Sequence, residues 1–112
     1  MSQPVLLKVY GGLSPCSTGD LTRLEPICGQ ALPLEEPPLT LRGTLLLLSF
    51  EGIFFPLDEL LQELANLLRP QMRGKIDYLD LENWRLSRYL VHDGVLSSNS
   101  VPLNNVLDYS GF

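Results

Sequence analysis

Hydrophobic and polar positions repeat with two different periods along this chain, and the changes of period mark the predicted elements. Between Pro56 and Arg69 the leucines follow the i, i+3, i+4 spacing of an amphipathic helix. These leucines are Leu57, Leu60, Leu61, Leu64 and Leu68. Because Pro56 suits a first helical turn and Pro70 prevents continuation, the pattern predicts one main helix over about residues 56–69.

Shorter apolar runs in the first half of the chain predict strands. Val5 to Tyr10 predicts a first strand that ends in a turn at Gly11-Gly12, and an alternating segment at Leu21 to Ile27 predicts a second. Leu39 to Phe50 predicts a central strand, because Leu45 to Leu48 place apolar side chains on both faces of an extended chain.

Alternation with period 2 returns after the helix and predicts three more strands. Lys75 to Leu81 forms the first of them. Trp84 to Val91 and Val95 to Val101 form a hairpin, because Asp93-Gly94 is typical of a two-residue type I′ turn.

The hairpin register sorts the apolar side chains into two sets. Val91 and Leu96 face one way, and Leu86, Leu90 and Val101 face the other way. The greater apolar content of the second set predicts that it faces the core.

Together these elements predict an α+β fold that is a two-layer sandwich. It has a mixed, mostly antiparallel sheet of about 4–6 strands, one main amphipathic helix and a C-terminal β-hairpin that turns at Asp93-Gly94. The strand to Phe50, the helix and the strand from Lys75 have the length of a right-handed βαβ crossover. All 112 residues are expected to form a single small globular domain.

Charge and apolar run length restrict the classes of partner. The chain has 13 acidic and 8 basic residues, and its net charge of -5 opposes binding to nucleic acid and to anionic lipid. Most basic residues lie between Arg69 and Arg88, where Asp77, Asp80 and Glu82 are interleaved, which indicates a salt-linked surface. The first residues lack a secretory signal, and no apolar run approaches the roughly 20 residues of a membrane helix. We therefore expect a cytoplasmic protein with no nucleic-acid and no membrane partner.

Two cysteines and one histidine are the candidates for chemistry. Cys16 lies in a polar loop where a thiol could be exposed, and with Cys28 as resolving partner it could serve a thiol-dependent redox protein or enzyme. Their spacing fits neither a CxxC motif nor a zinc site, and no basic neighbour lowers the pKa of Cys16. His92 is expected to be an exposed turn residue. The sequence predicts no catalytic residue, metal or cofactor.

The leading hypothesis is a non-enzymatic domain that binds a protein partner or a second copy of itself. One helix covers only one sheet face, whereas Leu45 to Leu48 predict apolar groups on both. A homodimer formed through the second face or a strand edge would cover it, unless the segment from Gly11 to Pro38 does so within one chain. Trp84, Arg88 and Tyr89 are the candidate partner-binding residues, because these types are common at interface hot spots.

A small-ligand-binding module is the second alternative to that hypothesis. Asp77, Asp80, Glu82 and Arg88 would serve it if they lined one pocket. The sequence leaves the identity of any ligand, partner or pathway open.

Overall fold

The structure, a computed structural model, describes residues 4–103. In chain order its elements are β1 (Leu7–Ser14), α1 (Thr18–Cys28), β2 (Leu39–Arg42), β3 (Leu45–Gly52), α2 (Leu57–Leu67), β4 (Arg73–Asp80), β5 (Arg85–His92) and β6 (Val95–Pro102). The strands in this part of the chain form one sheet in the order β2-β3-β1-β4-β5-β6, and every neighbouring pair is antiparallel. The predicted α+β sandwich with a C-terminal hairpin is confirmed, with a sheet that is antiparallel throughout.

Two crossover connections interleave at the centre of the sheet. β3 and β4 both pair antiparallel with β1, so they run parallel to each other, and α2 connects them across β1. In the same way α1 connects β1 to β2 across β3. The first four strands and both helices thus have the split βαβ, or ferredoxin-like, arrangement, and the β5–β6 hairpin extends it at β4. The predicted βαβ unit has both of its strands in one sheet, with β1 inserted between them.

The segment from Leu21 to Ile27, predicted to be a strand, lies in helix α1. The Ser17 hydroxyl accepts a hydrogen bond from the backbone N–H of Asp20 at 3.2 Å, and the Asp20 carboxylate accepts one from the backbone N–H of Ser17 at 2.9 Å. This capping box starts a helix, and Leu24 and Cys28, one turn apart, are buried on its inner face. The strand prediction was wrong because the alternation of apolar and polar residues is short, whereas the capping box at Ser17 and Asp20 favours a helix.

The turn predicted at Gly11-Gly12 is also wrong, because β1 continues through both glycines to Ser14. A side-chain carbon added at Gly11 would lie 2.5 Å from the carbonyl oxygen of Lys75. The absence of a side chain therefore lets β1 and β4 approach closely, and here glycine belongs inside a strand.

The predicted strand from Leu39 to Phe50 is divided into β2 and β3. Arg42 pairs with Leu45, so the two strands are joined by a two-residue turn at Gly43-Thr44. Gly43 has a φ of +61°, in the left-handed region that favours glycine. β3, which carries the leucine run, does lie inside the sheet between β2 and β1.

Both helices pack on the same side of the sheet. The core between the two layers is formed by Leu24 and Cys28 of α1, by Leu60, Leu64 and Leu67 of α2, and by alternate strand residues such as Val9, Leu46, Leu48 and Ile76. The main helix predicted from the leucine stripe is therefore present, but a second helix lies beside it. The segment from Gly11 to Pro38 contributes that helix and does not cover the opposite face. In residues 4–103 no helix combines the length and the apolar character needed to span a membrane.

The C-terminal hairpin has the predicted register but the opposite orientation. Asp93 and Gly94 have φ values of 54° and 78°, as in a type I′ turn, and Val91 pairs with Leu96. Val91 is buried in the core and Leu96 packs against it. The set that was predicted to face the core lies on the other side of the sheet, and it consists of Leu86, Leu90 and Val101. The prediction failed because pairing with β4, and not apolar content, decides which side of β5 faces the helices.

Candidate protein-binding surface

The sheet face opposite the helices is formed by the other alternate residues of each strand, and we term it the open face. It includes Lys8 and Tyr10 of β1 and Lys75 and Asp77 of β4. Both helices in the described part of the chain lie on the other side of the sheet. Neither helix therefore covers the open face, although Leu86 on that face is only 3% exposed.

Charge is unequally distributed between the two sides of the molecule. In residues 4–103 the basic side chains of the open face are Lys8, Arg42, Arg73, Lys75 and Arg88, and its acidic side chains are Glu51 and Asp77. The helices and their adjoining loops carry the acidic residues Asp20, Glu25, Glu35, Glu36, Asp58, Glu59 and Glu63, with Arg23 and Arg69 as basic residues. The open face is thus the basic side of an acidic protein, which the net charge of the whole chain conceals.

One end of the open face combines basic and aliphatic side chains, and we term it the basic end. It consists of Arg42, Leu45, Arg73, Lys75 and Leu90, all of which are exposed. Arg42 pairs with Leu45 across β2 and β3, and Lys75 pairs with Leu90 across β4 and β5. None of the three basic side chains forms a salt bridge with a carboxylate among residues 4–103.

The leucines of the basic end are exposed although they lie in strands. Leu45 is 41% exposed and Leu90 is 45% exposed. Gly12 lies in the row of paired residues between Leu47 and Lys75, and an added side-chain carbon there would meet its nearest atoms only at 3.7 Å. This end of the face therefore presents exposed apolar area next to positive charge.

Two polar pairs lie in the middle of the open face. Arg88 donates two hydrogen bonds to Asp77, from Nε to Oδ1 at 2.7 Å and from Nη2 to Oδ2 at 2.9 Å, so the predicted salt-linked character is confirmed here. The Tyr10 hydroxyl donates to Glu51. Burial and this carboxylate raise the pKa of Tyr10 to about 12. Both acidic side chains of the open face thus accept hydrogen bonds from side chains of the same face.

Of the three predicted partner-binding residues, only Arg88 lies on the open face. Trp84 ends the turn between β4 and β5, with a φ of 55°, and is 56% exposed. Tyr89 points to the helix side and packs against the core. The structure thus does not bring these residues together on one surface.

The four residues predicted for a small-ligand site do not converge either. Asp80 accepts hydrogen bonds from the backbone N–H groups of Glu82 and Asn83, each at 3.1 Å, and from Asn83 Nδ2 at 2.8 Å. The bond from the Asn83 side chain is the main cause that lowers the pKa of Asp80. Asp80 closes the β4–β5 turn, whereas Asp77 pairs with Arg88 on the opposite face of the sheet.

A cavity of about 280 Å³ lies on the helix side, between the end of α1 and the loop before β2. Glu25, Glu35 and Glu36 line it together with Pro37 and Pro38. None of the four residues predicted for a small-ligand site belongs to its lining. Among residues 4–103 no group of three or more His, Cys, Asp or Glu side chains is placed to hold a metal ion.

The two thiols are buried, and their pKa values are high. Burial raises the pKa of Cys16 to about 11, with a further contribution from the Asp20 carboxylate that Arg69 opposes. Burial alone raises the pKa of Cys28 to about 12. Thiols with such pKa values are protonated at neutral pH, which opposes nucleophilic chemistry. His92 is exposed beside the hairpin turn, as the sequence predicts.

Sequence reasoning missed the basic end as a group. Arg73 and Lys75 are separated from Arg42 and Leu45 by helix α2, and these residues approach each other only because β1 inserts between β3 and β4. The one local signal is the alternation of Arg73 and Lys75 with the core residue Ile76, which places both basic side chains away from the helices.

Comparisons with protein-family models, curated protein sequences and solved structures find no match for this chain. The ferredoxin-like arrangement by itself implies no function, because one fold hosts many unrelated activities. The charge and the exposed leucines of the open face therefore carry the functional inference.

Proposed function

We propose that this protein is a non-enzymatic protein-interaction domain whose basic end binds an acidic, partly apolar segment of another protein. One observation carries the proposal. Three exposed basic side chains without a salt bridge to any carboxylate of residues 4–103 lie beside exposed Leu45 and Leu90, on the face opposite the helices. Exposed apolar area bordered by polar groups is typical of protein-binding surfaces.

The two kinds of side chain contribute differently to such binding. Exposed ion pairs contribute only about 0.2–1 kcal/mol each, so the basic residues mainly set orientation and the rate of association. Burial of Leu45 and Leu90 by the partner supplies affinity, because apolar area contributes roughly 25 cal/mol per Å² removed from water. The fitting partner segment therefore alternates acidic and apolar side chains.

A protein segment fits this surface better than a nucleic acid does. Proteins that bind single strands combine basic residues with exposed aromatic rings, on which bases stack. The basic end carries leucines instead, and Tyr10 in the middle of the face is hydrogen-bonded to Glu51. The net charge of -5 also opposes a long polyanion.

Two further observations favour binding over catalysis. The buried Cys16 thiol has a pKa of about 11, so it is not activated as a nucleophile. Asp80, one of the carboxylates predicted for a small-ligand site, accepts hydrogen bonds within its own turn. Both groups have structural roles in the fold.

Fluorescence anisotropy with labelled peptides of equal length tests the proposal. The first peptide alternates glutamate and leucine, the second alternates lysine and leucine, and the third alternates glutamate and serine. We expect saturable binding of the first peptide that weakens with added salt, because exposed charges are screened. The other two should bind about tenfold more weakly or worse, which corresponds to about 1.4 kcal/mol.

Variants of the protein locate the interaction. Combining Arg42→Gln, Arg73→Gln and Lys75→Gln should weaken binding of the glutamate–leucine peptide about tenfold, since three exposed pairs contribute roughly 0.5 kcal/mol each. Arg23→Gln, on the helix side, is the matched control and should bind like the wild type. Unchanged binding by the triple variant, or tighter binding of a single-stranded oligonucleotide than of the acidic peptide, would contradict the proposal.

A further inference from the structure

The two outer strands of the described sheet differ in how they protect their free edges. β2 has four residues, ends at Arg42 and follows Pro37-Pro38. Short length, charge and proline are the usual protections against pairing with another chain. β6 has eight residues, none of its side chains is charged, and its one proline, Pro102, is its last residue. The β6 edge is thus the one suited to accept another strand.

The hairpin turn determines which backbone groups β6 presents at its free edge. His92 and Val95 flank the two-residue turn and form a hydrogen-bonded pair, and such pairs alternate with non-hydrogen-bonded pairs along an antiparallel ladder. Leu96, Ser98 and Ser100 therefore direct their N–H and C=O groups away from β5. Ser98 and Ser100 are exposed although they lie on the helix side, so neither helix covers this edge.

We propose that β6 pairs antiparallel with β6 of a second copy of this chain, about a two-fold axis at Ser98. This register places Val95 of each copy opposite Val101 of the other, on the open face. Val95 is 62% exposed, and this pairing covers it with another β-branched side chain. Leu96 lies opposite Ser100, whose hydroxyl is small enough to leave the leucine in contact with its own core.

Self-complementarity is the reason to infer a second copy and not an unrelated extended peptide. An antiparallel two-fold contact requires that one strand match its own reverse, and Val95 and Val101 lie at equal distances from Ser98. The axis stands perpendicular to the sheet, so both pairs of helices lie on one side of a continuous sheet. This contact does not involve the basic end, so self-association and peptide binding can be tested independently.

Sedimentation of the wild type and of charged variants tests the pairing. We expect the wild-type mass to rise from 12.5 kDa toward twice that value as concentration increases. Ser98→Lys and Ser98→Glu should each remain at the lower mass, because the axis brings two like charges together. An equimolar mixture of the two variants should associate again, since opposite charges then meet at the axis.

Thr40→Lys, the same kind of change on the β2 edge, is the matched control and should associate like the wild type. Circular dichroism melts establish that each variant is folded before sedimentation. A wild-type mass of 12.5 kDa at every concentration would overturn the pairing. Association of Ser98→Lys alone, or no association in the mixture, would overturn this register.

Discussion

Leu64→Ala is the sharpest test of how α2 packs on the sheet. Leu64 is 3% exposed and lies in the core cluster, one turn from Leu60. Leu61 lies on the same helix but is only partly buried. The leucine stripe in the sequence treats Leu61 and Leu64 alike, whereas the structure predicts different costs for truncating them.

The cost at Leu64 has two parts. Truncation to alanine removes three carbon groups, at about 0.8 kcal/mol each, which gives about 2.4 kcal/mol. The space that remains adds about 24 cal/mol per Å³ of cavity, so a residual volume of roughly 40–80 Å³ costs about 1–2 kcal/mol more. A cavity of about 20 Å³ lined by Leu60 and Leu64 already lies beneath α2, so the new space would enlarge an existing void. We expect a total loss of about 3.5–4.5 kcal/mol.

Urea unfolding followed by circular dichroism measures this loss, with Leu61→Ala as the matched control. The control should lose about 1–1.5 kcal/mol, because part of the Leu61 side chain is solvent-exposed in the folded state. Equal slopes of the transitions would show that the two variants unfold from comparably folded states. Losses below about 1 kcal/mol at both positions, or a larger loss at Leu61, would mean that the described phase of α2 is wrong.

Two further substitutions test backbone packing and the helix cap. Gly74→Ala should lower the free energy of unfolding by about 2–3 kcal/mol, because the added carbon would lie 2.1 Å from a carbonyl oxygen of β1. Gly19→Ala, in α1, is the control: the carbon added there would lie 3.5 Å from its nearest atom, so the variant should not be destabilised. Asp20→Asn should reduce stability at neutral pH, because the hydrogen bonds from Arg69 are the main cause that lowers the pKa of Asp20. The Asp20 carboxylate contributes its full stabilisation to the folded state above the unfolded-state pKa of about 3.9, and this stabilisation is lost as the pH falls through the lower folded-state pKa. The free energies of unfolding of variant and wild type, measured by urea melts, should therefore converge in acid. A constant difference at all pH values would contradict that linkage.

Local signals predicted the elements that depend on local interactions. The stripe in α2 and the Asp93-Gly94 turn specify their own structure, and both are present. Pairing between strands that are distant in the sequence decides the extent of β1 and the orientation of β5. Gly11-Gly12 resembles a turn in the sequence, but the close approach of β4 requires a glycine at position 11. Val91 faces the core because pairing with β4 sets the phase of β5.

The basic end shows the same limit for function. Lys75 lies in a stretch of mixed charge that the sequence describes as salt-linked, and this holds for Arg88, which pairs with Asp77. Lys75 itself pairs in register with Leu90, and Arg42 joins it and Arg73 from a distant segment of the chain. Net charge averages over such an arrangement, so a locally basic surface on an acidic chain becomes visible only in three dimensions.

The position of β1 at the centre of the sheet has a consequence for biosynthesis. Leu7 pairs with Gly52 on one side and with Asp80 on the other. During synthesis β1 therefore leaves the ribosome before both of its ladder partners, and one of its edges remains unpaired until β4 has been translated. Such high contact order slows folding and exposes strand edges to misassembly. By contrast, β5 and β6 form a local hairpin that can add last, onto a sheet that already contains its central strand.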